Sequence, residues 1–186
     1  PNLQFLNFDG NSLGGLGEDA VRFAAALARC PLLQVLILSW NNLGSLDDDA
    51  VRFAAALARC PNLQKLNLRG NNLGILGEDA VRFAAALARC PLLQVLILSW
   101  NKLGNLGPNA GPFAEGLAQS SLLQEIEFSP HDFNGLSDIH AFSLAKSLTP
   151  SPFFKNFQNL RVIKGLDRGY YRHPNSWIEL CHSLII

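Results

Sequence analysis

Apolar residues recur along the chain in one pattern, L-x-x-L-x-L-x-x-N-x-L, which returns every 30 residues. Four copies begin at Leu3, Leu33, Leu63 and Leu93. In each copy the second and third leucine positions are two apart, so both side chains point to one face of a short strand. The asparagine is expected to satisfy backbone groups at the following turn and to form a ladder from copy to copy. The pattern therefore predicts a short strand and a turn in every repeat.

The segment between two strand patterns has the properties of a helix. The sequence DAVRFAAALARC occurs at residues 19–30, 49–60 and 79–90. In its first copy Ala20, Ala24 and Leu27 fall on one face at helical spacing. A proline follows each copy and cannot continue a helix. Each repeat is therefore predicted to be a strand, a turn and a helix.

Two further copies of the pattern are degenerate. The fifth contains Leu123, Ile126 and Phe128, followed by His131 at the asparagine position. A remnant of a sixth copy surrounds Leu160 and Ile163. We expect five strand–helix units in residues 1–149, and a degenerate sixth unit with a C-terminal cap in residues 150–186. The first four units span residues 1–30, 31–60, 61–90 and 91–120.

Stacked units of this kind predict an α/β solenoid. The parallel strands are expected on the concave face of a curved horseshoe segment and the helices on its convex face, because a layer of helices is wider than a layer of strands. Glycines recur at the turns, where we expect them to serve chain reversal. They are Gly14, Gly44, Gly74 and Gly104.

The repeated motif resembles that of leucine-rich-repeat proteins, matched four times in register with Phe8 in place of one leucine. A helix in every unit and the alternation of two unit types are similar to the ribonuclease-inhibitor-like class. The near-identical units also resemble the repeats of several secreted bacterial effectors. The resemblance implies a solenoid that binds proteins.

The composition excludes several classes of partner. Hydrophobic residues make up 48% of the chain and charged residues 16%, with 15 Lys and Arg against 15 Asp and Glu. This balance argues against nucleic acid and acidic membranes, which both select a basic surplus. No apolar run approaches the roughly 20 residues that span a bilayer. We expect a monomer, or a complex with a different folded protein.

The cysteines indicate where the protein works. Cys30, Cys60 and Cys90 recur at one repeat position and Cys181 lies outside the pattern. This periodicity is typical of a repeated packing site and not of a disulfide framework. The chain also lacks any Asn-x-Ser/Thr sequon. A cytoplasmic location is therefore expected, in the host cytosol if the protein is a secreted effector.

Candidate catalytic and metal-binding groups are few. No phosphate-binding glycine loop, CxxC pair or HExxH motif occurs. His131, Asp132 and His140 match no metal-ligand spacing. Glu125 and Glu127 share a strand face, where contact with a basic partner is a better interpretation than acid–base chemistry. We predict no enzyme activity, no catalytic residue, no cofactor and no metal.

The strand positions that point away from the core form the predicted binding surface. Units two and four supply apolar residues and a tryptophan, unit three supplies cations, and unit five supplies carboxylates. The predicted partner-binding residues are Phe5, Asp9, Val35, Ile37, Trp40, Lys65, Asn67, Arg69, Val95, Ile97, Trp100, Glu125 and Glu127.

Trp40 and Trp100 are the proposed anchors of this surface, because tryptophan is favoured at the energetic centre of interfaces. Gly70 is expected to leave room for both rings, and Arg69 to lie against one of them. The structural alternative is that each tryptophan packs over its own turn, and that the valines and isoleucines serve strand propensity.

Comparison of units one and three supports a variable recognition surface. They are identical at 25 of 30 positions. Two of the differences, Phe5/Lys65 and Asp9/Arg69, lie on the predicted binding surface and alter its charge. Unconstrained drift of a surface is the rival explanation.

These observations favour a protein-interaction scaffold that grips a folded protein in its concave face, as an inhibitor or a regulatory adaptor. The alternative is a recognition domain of a larger enzyme, such as a bacterial effector, whose catalytic domain is absent from this fragment. An engineered scaffold without a natural partner is a third hypothesis, and the irregular C-terminal region argues against it.

Overall fold

The computed structural model describes residues 2–148 and 162–164. Six three-residue strands form one parallel sheet in chain order. They are β1 (Phe5–Asn7), β2 (Val35–Ile37), β3 (Lys65–Asn67), β4 (Val95–Ile97), β5 (Glu125–Glu127) and β6 (Val162–Lys164). The predicted α/β solenoid of strand–helix units is confirmed.

The strands are aligned without a shift from unit to unit. The central residue Leu6 pairs with Leu36, Leu36 with Leu66, and Leu66 with Leu96. From Leu36 onward these central side chains are fully buried. The period of the leucines therefore sets the register, because a slip by one residue would move the buried side chains to the opposite face.

Five helices cover the other face of the sheet. They are α1 (Glu18–Leu27), α2 (Asp49–Leu57), α3 (Asp79–Leu87), α4 (Ala110–Leu117) and α5 (Asp138–Leu148). Phe53, Phe83 and Phe113 are buried between the helices and the sheet, together with the alanines of the same helix face. A short 3-10 helical turn joins each strand to its helix.

The glycines at positions 14, 44, 74 and 104 lie in the 3-10 turns, but these turns do not use the conformational freedom of glycine. None of the four has a positive φ. Instead, a Cβ on Gly14 would overlap the carbonyl oxygen of Asn42 in the next unit, and a Cβ on Gly74 would overlap that of Lys102. These glycines let the turns of neighbouring units approach closely, where the N–H of Gly74 donates to the Asn101 carbonyl at 2.9 Å.

The asparagine ladder is present, and Asn71 illustrates it. Its Oδ1 accepts the N–H groups of Asn41 (3.1 Å) and Leu43 (3.2 Å) from the preceding unit. Its Nδ2 donates to the carbonyls of Leu38 (2.8 Å) and Leu68 (2.9 Å). The asparagines one unit earlier and one unit later make equivalent bonds. One buried side chain thus satisfies backbone groups of two units.

Asp132 and not His131 holds the ladder position of unit five. The Asp132 carboxylate is 1% exposed and accepts the N–H of Trp100 at 2.9 Å and that of Lys102 at 3.0 Å. It also accepts the N–H of Asn101, and both the N–H and the hydroxyl of Ser129 at 2.7 Å. A carboxylate suits this place because all the groups facing it are donors.

The three repeated cysteines form a buried column without disulfides. Burial raises the pKa of the Cys60 thiol from 9.0 to about 11, and the neighbouring Cys30 adds to the shift. Burial likewise raises the pKa of Cys90 to about 12, with a contribution from Cys60. These thiols therefore act as small packing groups and not as nucleophiles.

Several sequence-based expectations fall outside the described residues. They concern most of the predicted sixth unit and C-terminal cap, in residues 150–161 and 165–186, including Cys181. Ile163 lies on β6 and pairs with Ile126 of β5. Within residues 2–148 and 162–164, no helix has the length and apolarity needed to cross a membrane.

Candidate functional site

The residues on either side of each central strand residue form the face of the sheet opposite the helices. We define the sheet face as these strand residues together with the residues that follow each strand. Six predicted binding residues are exposed on it: Phe5, Asp9, Trp40, Lys65, Arg69 and Trp100. Seven are half-buried between neighbouring strands: Val35, Ile37, Asn67, Val95, Ile97, Glu125 and Glu127. No helix packs over this face among the described residues.

Strand register arranges these side chains in rows. One row pairs Val35 with Lys65, Lys65 with Val95, and Val95 with Glu125. The row two residues further along pairs Ile37 with Asn67, Asn67 with Ile97, and Ile97 with Glu127. The sheet face therefore carries an apolar strip, a cationic strip, a second apolar strip and an acidic strip on successive strands.

The two tryptophans have an unusual backbone conformation. Trp40 has a φ of 55° and Trp100 a φ of 65°. Gly10 and Gly70 occupy the equivalent position of units one and three, with φ values of 70° and 69°. The turn therefore requires a left-handed residue in all four units. Glycine adopts this conformation freely, whereas it is rare and strained for a bulky side chain.

Each indole leans toward the unit that follows it. The Trp40 ring lies on Gly70, and a Cβ on Gly70 would come within 2.8 Å of the Trp40 Cζ3 atom. The ring of Trp100 instead lies against His131, with centroids 4.9 Å apart. The expectation that Gly70 makes room for both rings is therefore corrected: its nearest neighbours are atoms of Trp40.

About half of each indole remains exposed. Trp40 is 51% exposed and Trp100 is 42% exposed, and the backbone N–H group of each tryptophan donates a hydrogen bond to the next unit. Both tryptophans lie at the edge of the sheet face where strands β2 and β4 end.

The cationic strip lies between the apolar strips. The Arg69 guanidinium carbon lies 6.0 Å from the centre of the Trp100 ring, at the outer limit of a cation–π contact. Within residues 2–148 and 162–164, neither Lys65 nor Arg69 forms an ion pair. In contrast, Arg22, Arg52 and Arg82 on the helices pair with acidic residues three or four positions earlier. The two cations of unit three therefore offer positive charge to a partner.

The acidic strip is more strongly tied to its own protein. The Ser99 hydroxyl approaches Glu127 Oε1 at 3.5 Å, and both glutamates are half-buried.

His131 contacts Trp100 while Asp132 is engaged in the ladder, so these two residues serve different contacts. Among the described residues, no cluster of three or more potential metal ligands is present.

Sequence reasoning missed two features of the site. The left-handed backbone at Trp40 was detectable, because glycine alternates with tryptophan at this repeat position. The role of Asp132 was also detectable from its spacing to Ser129, since a serine followed three residues later by an acidic residue is typical of a capped turn.

Comparisons with known proteins agree with the repeat. The family model described as "Leucine Rich repeat" matches residues 29–46, 59–77 and 89–107. No curated protein matches the chain at a significant level. Among solved structures, "Leiomodin-1 Actin-Binding Site 2 (ABS2)" is 16% identical, with a TM-score of 0.47 over 98% of this chain and 78% of that chain.

A second solved structure is the leucine-rich-repeat-containing protein LegL7 from Legionella pneumophila. It is 19% identical, with a TM-score of 0.35 over 97% of this chain and 80% of that chain. Both TM-scores are too low for the two structures to inform function.

Proposed function

Since this chain is a leucine-rich-repeat protein, we propose that it is a non-catalytic scaffold that holds a folded protein partner on its sheet face. The repeats build a rigid stack, and two of the differences between units one and three, Phe5/Lys65 and Asp9/Arg69, lie on the sheet face. Binding there covers a functional surface of the partner, as an inhibitor or a regulatory adaptor does.

The conformation of Trp40 and Trp100 carries this proposal. A left-handed backbone costs a residue with a side chain about 1–2 kcal/mol, and glycine avoids that cost. Units one and three have glycine at this position, so the stack does not require a tryptophan there. Strain of this kind accumulates at binding and switch sites. Two half-exposed indoles on strained turns are therefore best explained by contacts outside the protein.

The surrounding residues suit a protein interface. Val35, Ile37, Val95 and Ile97 extend the apolar surface from the indoles down the strands. Lys65 and Arg69 add charges that are not neutralised within the described residues. Aromatic anchors combined with arginine are typical of the residues that dominate binding energy in protein interfaces.

The buried, unpaired column of Cys30, Cys60 and Cys90 supports a working place in a reducing compartment such as the cytoplasm. A bacterial effector acting in the host cytosol fits that setting.

Capture of partners by matched variants tests the proposal. The wild type is immobilised beside a Trp40→Gly/Trp100→Gly variant, which carries at both sites the residue of units one and three. An Arg22→Ala/Arg52→Ala/Arg82→Ala variant alters the helix surface and serves as the control. We expect one protein to bind the wild type and the control at equal stoichiometry and to be lost from the tryptophan variant. Equal capture by all three folded proteins would contradict the proposal.

A further inference from the structure

The order of strips on the sheet face specifies the shape and charge of what binds there. Resting on the proposed function, we infer that the partner presents an amphipathic α-helix that lies across the strands. The side of the partner helix that faces this protein carries an apolar residue, an acidic residue, a second apolar residue and a basic residue in that order. These residues meet the strips of units two, three, four and five.

The spacing of the strips selects a helix over an extended strand. Neighbouring strands are about 4.8 Å apart, so the two apolar strips are about 9.6 Å apart. In a helix, residues i and i+7 share a face and lie about 10.5 Å apart. In an extended strand, residues on one face are about 6.6 Å or 13 Å apart, and neither spacing fits. Only the helix places two apolar side chains of one face on both strips.

Charge complementarity selects the residue between them. Lys65 lies between Val35 and Val95 in the strand register, and Arg69 lies beside the Trp100 ring. Neither cation is neutralised within the described residues. A partner that covered this strip with apolar groups would leave two charges desolvated without a counter-charge, which is strongly unfavourable. An acidic side chain at i+3 of the partner helix removes that penalty.

The acidic strip sets the last position. Glu125 and Glu127 lie one strand beyond the second apolar strip, which corresponds to i+10 on the same helix. A basic residue there lies next to the half-buried Glu127 carboxylate, which the Ser99 hydroxyl approaches at 3.5 Å. A partner helix that runs in the opposite N-to-C direction can present the same groups at the same spacing. Charge and spacing therefore define the sequence of groups along the helix, and either chain direction satisfies them.

Synthetic helical peptides provide the test. The probe is an alanine-based peptide of about 16 residues with leucine at i and i+7, glutamate at i+3 and arginine at i+10, made in both chain directions. One control peptide replaces the glutamate by lysine. Another has prolines on its outer side, which prevent the helix. Binding is measured by calorimetry and the gain of helix by circular dichroism, with the whole 186-residue chain.

We expect the glutamate peptide to bind at least tenfold more tightly than the lysine peptide and to gain helicity on binding. With a Lys65→Glu/Arg69→Glu variant, the preference should invert by a similar factor. Both substituted residues are exposed, and thermal unfolding checks that the variant keeps its fold.

Several outcomes would overturn the inference. They are equal affinity for the glutamate and lysine peptides, equal affinity for the proline peptide, or no binding of any peptide. Self-association of the peptide-free chain that Lys65→Glu abolishes would assign the surface to a second copy instead. If the peptides fail while a captured protein still depends on Trp40 and Trp100, the proposed function stands and only the helix is rejected.

Discussion

Units one and three differ from units two and four most clearly at one turn position. The odd units have glycine there and the even units have tryptophan, on backbones with the same left-handed conformation. The helix sequence DAVRFAAALARC is common to units one, two and three, whereas α4 of unit four has the sequence AGPFAEGL. The ladder asparagines, which the units share, make contacts between units, whereas the residues at the positions of Phe5, Asp9 and Trp40 differ between units and lie on the sheet face. Under the proposed function, stability and recognition are carried by separate residues of the same repeat.

The largest expected effect comes from a shared residue. Asn71→Ala removes the side-chain partner of three backbone groups, the N–H groups of Asn41 and Leu43 and the Leu38 carbonyl, while the Leu68 carbonyl keeps its bond from Asn101 Nδ2. We expect a loss of about 3–5 kcal/mol in the free energy of unfolding, because each buried unsatisfied group costs about 1–3 kcal/mol and some regain water. Urea unfolding measures the change. Asn67→Ala on the sheet face is the control and should cost below about 1 kcal/mol. An equal loss for both variants would contradict the division between residues that hold the units together and residues of the sheet face.

The shared thiols predict a pH dependence. The folded pKa values of Cys60 and Cys90 lie above the ordinary thiol value of 9.0, so the unfolded chain loses these protons first as the pH rises. Stability is therefore full below pH 9 and decreases above it. Between about pH 8 and pH 10 we expect a loss of roughly 2–3 kcal/mol.

Urea unfolding at both pH values under reducing conditions measures this loss. A Cys60→Ala/Cys90→Ala variant is the control, and its stability should depend less on pH by the same amount. An identical pH dependence in both proteins would show that the thiols are not protected by burial.

Substitution of Gly70 tests directly why glycine alternates with tryptophan at the left-handed turn position. Gly70→Ala adds a Cβ to a residue with a φ of 69° and places it against the Trp40 ring. Gly10→Ala has the same backbone strain with no atom within 4 Å. We expect a loss of about 2–3 kcal/mol at Gly70 and about 1 kcal/mol at Gly10. Adding Trp40→Gly should reduce the Gly70→Ala loss to the Gly10 value; failure of this rescue would mean that the ring does not set the cost.

The smallest expected effect is a gain. Asp47 has a φ of 49° and a ψ of −127°, where units one, three and four have Gly17, Gly77 and Gly107. Asp47→Gly should therefore stabilise the protein by about 0.5–1 kcal/mol, since strain relief exceeds the greater freedom of the unfolded chain. A thermal shift measures the gain, with Gly77→Asp as the reverse control. If Asp47→Gly lowers the melting temperature, the aspartate has an unrecognised contact.

The repeat made most of the fold predictable, because the spacing of the leucines sets the strand, its register and its buried face at once. Contacts between units were harder to predict from the sequence. Gly14 and its equivalents suggested chain reversal, yet their role is close approach to the next turn, which depends on the distance between stacked units. His131 occupied the expected ladder position by counting, but the turn of unit five brings Asp132 there instead.

The candidate site was predictable in its residues and not in its conformations. Alternation along the strands identified the side chains on the sheet face. The direction in which Trp40 and Trp100 lean depends on what the following unit offers. That is an open glycine for Trp40 and the His131 ring for Trp100. Only the stacked structure supplies that information.

The unfolding free energy of a Trp40→Gly/Trp100→Gly variant tests most directly whether the indoles serve recognition and not the fold. Relief of two strained turns should offset much of the lost packing. We predict that each substitution costs less than about 1.5 kcal/mol in urea unfolding. A loss of about 3–5 kcal/mol per tryptophan, as for a buried aromatic residue, would contradict the account and make the two indoles part of the structural core.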